Sequence, residues 1–248
     1  AMWSRGTASA VRFGQGYLTR ARIMSAVTIS ELQTPAVLVE RPRAAANIRR
    51  MQALAAGAGM ALRPHAKTHK SPELARWQIE AGAVGICCAK LGEAEVFAEA
   101  GIADIRVPYP IQPSNAARVL ALQQRTSLSF VVDHLDVARG WSDAMSAAGA
   151  TADVLVKIDV GFHRCGIPPD PATAVPVLRA VGAMPGLRLR GILSHAGHAY
   201  HAHSDDELRQ MAEAEAATMG TLAHEARAAG LTIDEVSAGA TPPARHSM

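Results

Sequence analysis

The chain reads as an α/β protein of the (β/α) barrel type. Short apolar runs of about five residues recur along it, and each is followed by an amphipathic, Ala- and Glu-rich stretch with Gly or Pro at the joints. Seven such runs follow one another at intervals of roughly 22 to 45 residues, the rhythm of a barrel in which every strand is backed by a helix. A doubly wound sheet, the competing architecture, would carry a Gly-rich phosphate turn after its first strand. Here that turn reads Ala-Lys-Thr-His-Lys-Ser over 66–71, which counts against a dinucleotide-binding fold.

Residues 36–39 (Ala-Val-Leu-Val) form a β-type run after Thr34-Pro35, and a helix starts near Pro42 and ends at Gly57 or Gly59. A strand over 61–66 leads to a helix over 72–81, with Ser71 as N-cap, Pro72 at the first helical position and Glu73 in the first turn. The later pairs of strand and helix are 84–89 with 92–100, 105–109 with 113–124, and 127–132 with 135–148. Then come 153–159 with 171–181 and 187–195 with a long helix over 205–229. A seventh strand, 233–237, precedes Gly-Ala-Thr-Pro-Pro. A closed barrel needs eight strands, so the eighth is expected to be missing or supplied from elsewhere, leaving two edges open to pairing. The expected division is a poorly ordered extension over 1–30, a leading strand and helix over 31–59, and an incomplete barrel over 60–248.

At 248 residues the chain can bury one substantial core. Composition that is 49% hydrophobic but only 4% aromatic points to helices packed through small side chains. A net charge of +3 with few aromatic residues does not suggest nucleic-acid binding. Cys87, Cys88 and Cys165 have no C-x-x-C spacing and fit small buried residues in a reduced, cytoplasmic setting. No apolar run reaches the roughly 18 to 20 residues of a membrane span. The first thirty residues lack Asp and Glu but carry Arg5, Arg12, Arg20 and Arg22, superficially like a transit peptide. Because the chain starts Ala1-Met2, an extension is the preferred reading.

Four strings carry chemistry. The first, Met60 to Pro72, gathers Arg63, His65, Lys67, His69 and Lys70 at a strand-to-helix turn, the end of an α/β strand where ligands are held. Crowding by cations lowers a lysine's pKa, and a neutral Lys67 amine could form a Schiff base with an aldehyde. The same turn could bind a phosphate or be a solvated loop. The second, Lys-Ile-Asp-Val-Gly-Phe-His-Arg-Cys-Gly over 157–166, is either a catalytic loop or one pinned by an Asp159–Arg164 ion pair. The third, 191–203, contains His195, Tyr200 and the triplet His198, His201 and His203, whose spacing fits either exposed loop histidines or, less well, a zinc site. The fourth, 236–243, offers small residues whose amides could approach phosphate oxygens, or forms an ordinary turn.

The string Arg-Pro-His-Ala-Lys-Thr-His-Lys-Ser-Pro over 63–72 resembles the start of the barrel in the D-threonine aldolase and D-serine dehydratase family, the fold-type III pyridoxal-phosphate enzymes related to alanine racemase. The likeness runs from about Thr34 onward. It implies a cofactor Schiff base on Lys67 with His65 beside it, and Arg164 at the cofactor's phenolic oxygen, through a pattern similar to K-x-D-x-G-x-x-R-x-G. Lys157 would buttress that arginine. It further implies His195 against the pyridine ring, Tyr200 as an active-site neighbour, and Gly239, Ala240 and Thr241 at the phosphate. In the family this last loop usually reads Gly-Ser-Thr-Pro-Thr; here Ala240 and Pro243 replace hydroxyl residues. The implied activity is lysis of D-configured β-hydroxy amino acids, with a non-catalytic pyridoxal-phosphate carrier or an amino-acid racemase as alternatives. In a full-length protein the resemblance also implies a C-terminal β domain, a divalent metal (zinc or manganese) and a homodimer. No metal ligand can be named in this chain.

Overall fold

A computed structural model describes residues 28–247. Residues 1–27, and with them nearly all of the expected extension, lie outside the described residues. The described residues form seven α-helices and six strands, alternating from α2 onward: α1 (Arg41–Gly57), α2 (Pro72–Glu80), β1 (Ile86–Cys87), α3 (Leu91–Glu99), β2 (Asp104–Val107), α4 (Ala116–Gln123), β3 (Ser127–Val132), α5 (Leu135–Ala147), β4 (Ala152–Lys157), α6 (Pro171–Gly182), β5 (Leu187–Leu193), α7 (Asp205–Ala228) and β6 (Glu235–Ser237). All neighbouring strands pair in parallel, in the order of the sequence. That order is the one a barrel of βα units produces, with β1 and β6 the first and last of the paired strands.

Two expected strands do not form. Residues 36–39 pair with no neighbour and form no strand, with Val37 94% exposed, because an apolar run becomes a strand only where a neighbour completes its hydrogen bonds. Residues 61–66 keep the barrel direction without regular pairing. The Val84 and Cys87 amides donate to the Leu62 and Pro64 carbonyls at 3.0 and 2.8 Å, and only His65 bridges to Cys87. Pro64 has no amide to give, and His65 is already turning the chain into a 3-10 turn, Ala66–Thr68. The helix expected over 113–124 starts as a 3-10 turn, Pro113–Asn115, before α4.

Alternation along the strands sorts side chains onto two faces. One face packs against the helices and forms the main core, in which Phe130 meets Trp141 with ring centroids 4.6 Å apart. The Trp141 indole N–H donates to the Ile111 carbonyl at 2.9 Å, satisfying its one polar group. Burying such a side chain contributes about 1.5–3 kcal/mol. The other face turns inward. Val131, Leu155 and Leu193 make a small apolar cluster there. Near it Arg106, 3% exposed, donates to Ser129 Oγ at 3.0 Å and grips the Glu235 carboxylate at 2.5 and 2.8 Å. That ion pair joins β2 to β6, so the sheet curls far enough for its second and last strands to touch across the interior. The hydrogen bonds from Arg106 hold the Glu235 carboxyl below the usual carboxylate range.

Candidate active site

Above the inward apolar cluster, where the strands end, lies a cavity of about 410 Å³. Every stretch that reaches it leaves a strand's carboxyl end or the His65 bridge, as barrel geometry demands. Arg63, His65, Lys67, Lys157, Arg164 and His195 line it, and among the described residues no Asp or Glu does. A cationic hollow without carboxylates is built for an anion.

The basic knot of residues 63–70 proves not to be one patch. Arg63 donates from both terminal guanidinium nitrogens to the Asp104 carboxylate, at 2.6 and 3.1 Å. Lys70, at φ +49°, directs its amine to Glu93 at 2.8 Å. His69 accepts the Ser71 amide at 3.0 Å and sets its ring edge against Phe97. Lys67 thus lines the cavity beside the paired Arg63 and next to His65, whose Nδ1 accepts the Lys67 amide at 3.3 Å and caps the 3-10 turn. Burial, followed by the charge of Lys67, pushes His65 down to about 4, so its imidazole is neutral at physiological pH. Glu93, 8% exposed, also accepts the Ala89 amide at 2.7 Å, which ties the Lys67 turn to the loop after β1.

Arg164 arrives on a tightly specified loop. Asp159 accepts the amides of Gly161 and His163, each at 3.0 Å, while Asp133 accepts that of Gly166, also at 3.0 Å. Gly166 sits at φ +111°, and a Cβ there would fall 2.7 Å from the Asp159 nitrogen, so only glycine closes the loop. The Asp159–Arg164 ion pair raised as one reading is not what forms: Asp159 is 2.9 Å from His163 Nδ1 instead. Arg164 lies over two rings, with its guanidinium carbon 5.4 Å from Tyr109 and 5.0 Å from Phe162. Lys157, 3% exposed, also faces the cavity, and burial pushes its amine down to about 8.

His195 stands edge-on to Phe162 at 6.3 Å, and its Nδ1 lies 3.1 Å from the Gly239 carbonyl. Burial outweighs that bond and lowers its pKa. Ser237, Ala238 and Gly239 line the cavity, whereas Ala240 and Thr241 do not. Tyr200 is also outside the lining, 58% exposed on the 3-10 turn Gly197–His201. Among the described residues no cluster of three or more His, Cys, Asp or Glu is placed to hold a metal ion.

Sequence reasoning passed over Tyr109, Phe162, Ser237 and Glu93. Tyr109 closes the expected 105–109 strand, so its place at a strand's carboxyl end was a usable signal. Glu93 gave none, because an acidic residue early in a helix reads as solvent-facing.

The strand order defines a parallel α/β half-barrel, with a pocket lined by cationic side chains at the strand ends. Comparison with known proteins refines this. Residues 39–245 match the family described as alanine racemase, N-terminal domain, and the chain belongs to that family. It is 35% identical over 214 residues to a D-threonine aldolase from an Arthrobacter species, covering 86% of this chain and 56% of that protein. It is 37% identical over 221 residues to a D-threo-3-hydroxyaspartate dehydratase from a Delftia species, covering 88% and 57%. The crystal structure of D-threonine aldolase from Filomicrobium marinum superposes with a TM-score of 0.83 at 34% identity, over 88% of this chain and 59% of that one. The chain therefore spans little more than half the length of the curated relatives it matches.

Proposed function

We propose that this chain is the cofactor-binding part of a pyridoxal-phosphate-dependent lyase acting on D-configured β-hydroxy amino acids, of the D-threonine aldolase or D-serine dehydratase type. One observation carries the reading: Lys67 lines a cavity that also gathers Arg164 and His195 and, among the described residues, is lined by no carboxylate. The names of the relatives support the same chemistry.

The residues present fit the cofactor's shape and charge. Lys67 would hold its aldehyde carbon, Arg164 its phenolic oxygen, and the imidazole face of His195 its ring. The backbone of Ser237 to Gly239 would approach the phosphate, with no bulky side chain in the way. Bound there, pyridoxal phosphate supplies an electron sink for the charge left on the substrate's α-carbon. The protein's own part is to orient and to manage protons. His65, held neutral with its Nδ1 lone pair engaged by the Lys67 amide, carries its ring proton on Nε2 and adds no charge beside the Lys67 amine. Lys157, poised near 8, can keep its proton facing an anion or release it.

The finer assignments belong to the same proposal. They are a barrel of the (β/α)8 kind over residues 60–248 preceded by a leading segment over 31–59, a C-terminal β domain with a zinc or manganese ion and a homodimer in a full-length protein, and a cytoplasmic setting. Among the described residues no helix is long and apolar enough to cross a membrane.

Addition of pyridoxal phosphate to the purified chain is expected to raise a visible absorbance band that Lys67→Ala abolishes. A folded wild-type chain that gives no band would overturn the assignment.

A further inference from the structure

Helix α7 is apolar wherever it is buried, with one exception. Ala212, Met219, Leu222, Ala223 and Ala226 pack inward, and among them lies Glu215, 3% exposed. Packing alone would favour a leucine or methionine there, and a buried carboxylate is kept only where groups repay its lost hydration. Its Oε1 accepts from Ser194 Oγ at 2.6 Å and from the Ala196 amide at 3.1 Å. Those two residues flank His195. Ser194 is itself 3% exposed, and its amide donates to the Ser237 carbonyl at 2.9 Å.

The consequence falls on the imidazole. A carbonyl can only accept, so the 3.1 Å contact between His195 Nδ1 and the Gly239 oxygen places the ring proton on Nδ1 and the lone pair on Nε2. The backbone on either side of His195 is clamped by Glu215, while its ring is tied to the turn that follows β6. We propose that Glu215 is a positioning residue: through Ser194 and Ala196 it holds His195 as the Nδ1–H tautomer against Gly239, and so fixes the Ser237–Gly239 turn. The clamp deepens the proposed cofactor site, since it would set both the surface under the ring and the cradle for the phosphate.

Imidazole nitrogen NMR on labelled protein reads the tautomer without any cofactor, and a pyridoxal phosphate titration reads the site. Wild type is expected to show His195 as a single Nδ1–H tautomer. Glu215→Gln keeps an oxygen that can accept both bonds and should preserve that signature. Glu215→Leu keeps the packing but removes the acceptor. It should yield mixed tautomers and bind pyridoxal phosphate about tenfold more weakly. Wild type showing Nε2–H, or a folded Glu215→Leu with the wild-type signature, overturns the proposal. Should Glu215→Leu not fold, Ser194→Ala cuts one of the two tethers, and unchanged His195 signals in it overturn the clamp equally. Wild type that fails to bind pyridoxal phosphate sinks the functional reading alone, and the NMR signature still decides the clamp.

Discussion

Lys157 carries a positive charge that burial makes easy to lose. Its amine is charged below about 8 and neutral above, so the pull on an anion weakens as pH rises through that value. Pyridoxine 5′-phosphate, which has the phosphate but no aldehyde, is expected to bind less tightly above that pH, and Lys157→Met should flatten the profile. A pH profile untouched by the substitution would assign the loss to another group. Gly197 is a second sensitive point, because a Cβ there would meet the Phe162 ring at 2.5 Å. Gly197→Ala should cost about 1–3 kcal/mol of stability in urea unfolding. Adding Phe162→Ala should remove most of that penalty, and a strictly additive pair would show that the ring is not what the methyl meets. At this scale the gathering of Lys67, Arg164 and His195 at one cavity was legible, since each stands in a polar string just past an apolar run. Glu93 and Glu215 were not: a carboxylate on a helix looks solvent-facing until the neighbouring loop is known to lack a hydrogen-bond acceptor.

Elements with their own punctuation were read well. Ser71, Pro72 and Glu73 announce α2, where the Ser71 hydroxyl accepts the Leu74 amide at 3.4 Å. The start of α6 at Pro171 was marked by proline, and Asp170 caps it by accepting the Thr173 amide at 3.1 Å. Ser71→Ala is expected to lower stability by about 1 kcal/mol, measured by thermal or urea unfolding, because it strips the cap from the helix that follows the Lys67 turn. The strands were less legible. Residues 36–39 and 61–66 have the right side chains, but a ladder depends on what lies beside it, which local pattern does not encode. Between elements, Glu93 is the brace that joins α3 to the turns on either side of β1. Glu93→Ala should leave the Ala89 amide without its acceptor and speed its hydrogen exchange markedly; unchanged protection would show that another group satisfies it.

Across the whole molecule, neutral histidines set the response to acid. His65 is pushed down to about 4, and His69 and His195 are lowered too, each chiefly by burial. The unfolded chain takes up protons near pH 6.5 that the folded chain refuses, so these groups contribute stability above that pH, and it is lost as pH falls from about 6.5 toward 4. Urea midpoints should therefore drop across this window, and His65→Gln should make the drop shallower. The molecule-wide rhythm of strand and helix was the most legible feature, because it repeats. Curling of the sheet was not, since it shows only when Arg106 on β2 is seen to grip Glu235 on β6.

The central claim concerns one amine, and it can be tested directly. Pyridoxal phosphate added to the protein, followed by borohydride reduction, digestion and mass mapping, reports which lysine carries the cofactor. The account predicts a pyridoxyl adduct on the peptide containing Lys67. An adduct confined to Lys157, or scattered among surface lysines with Lys67 unmodified, would contradict it.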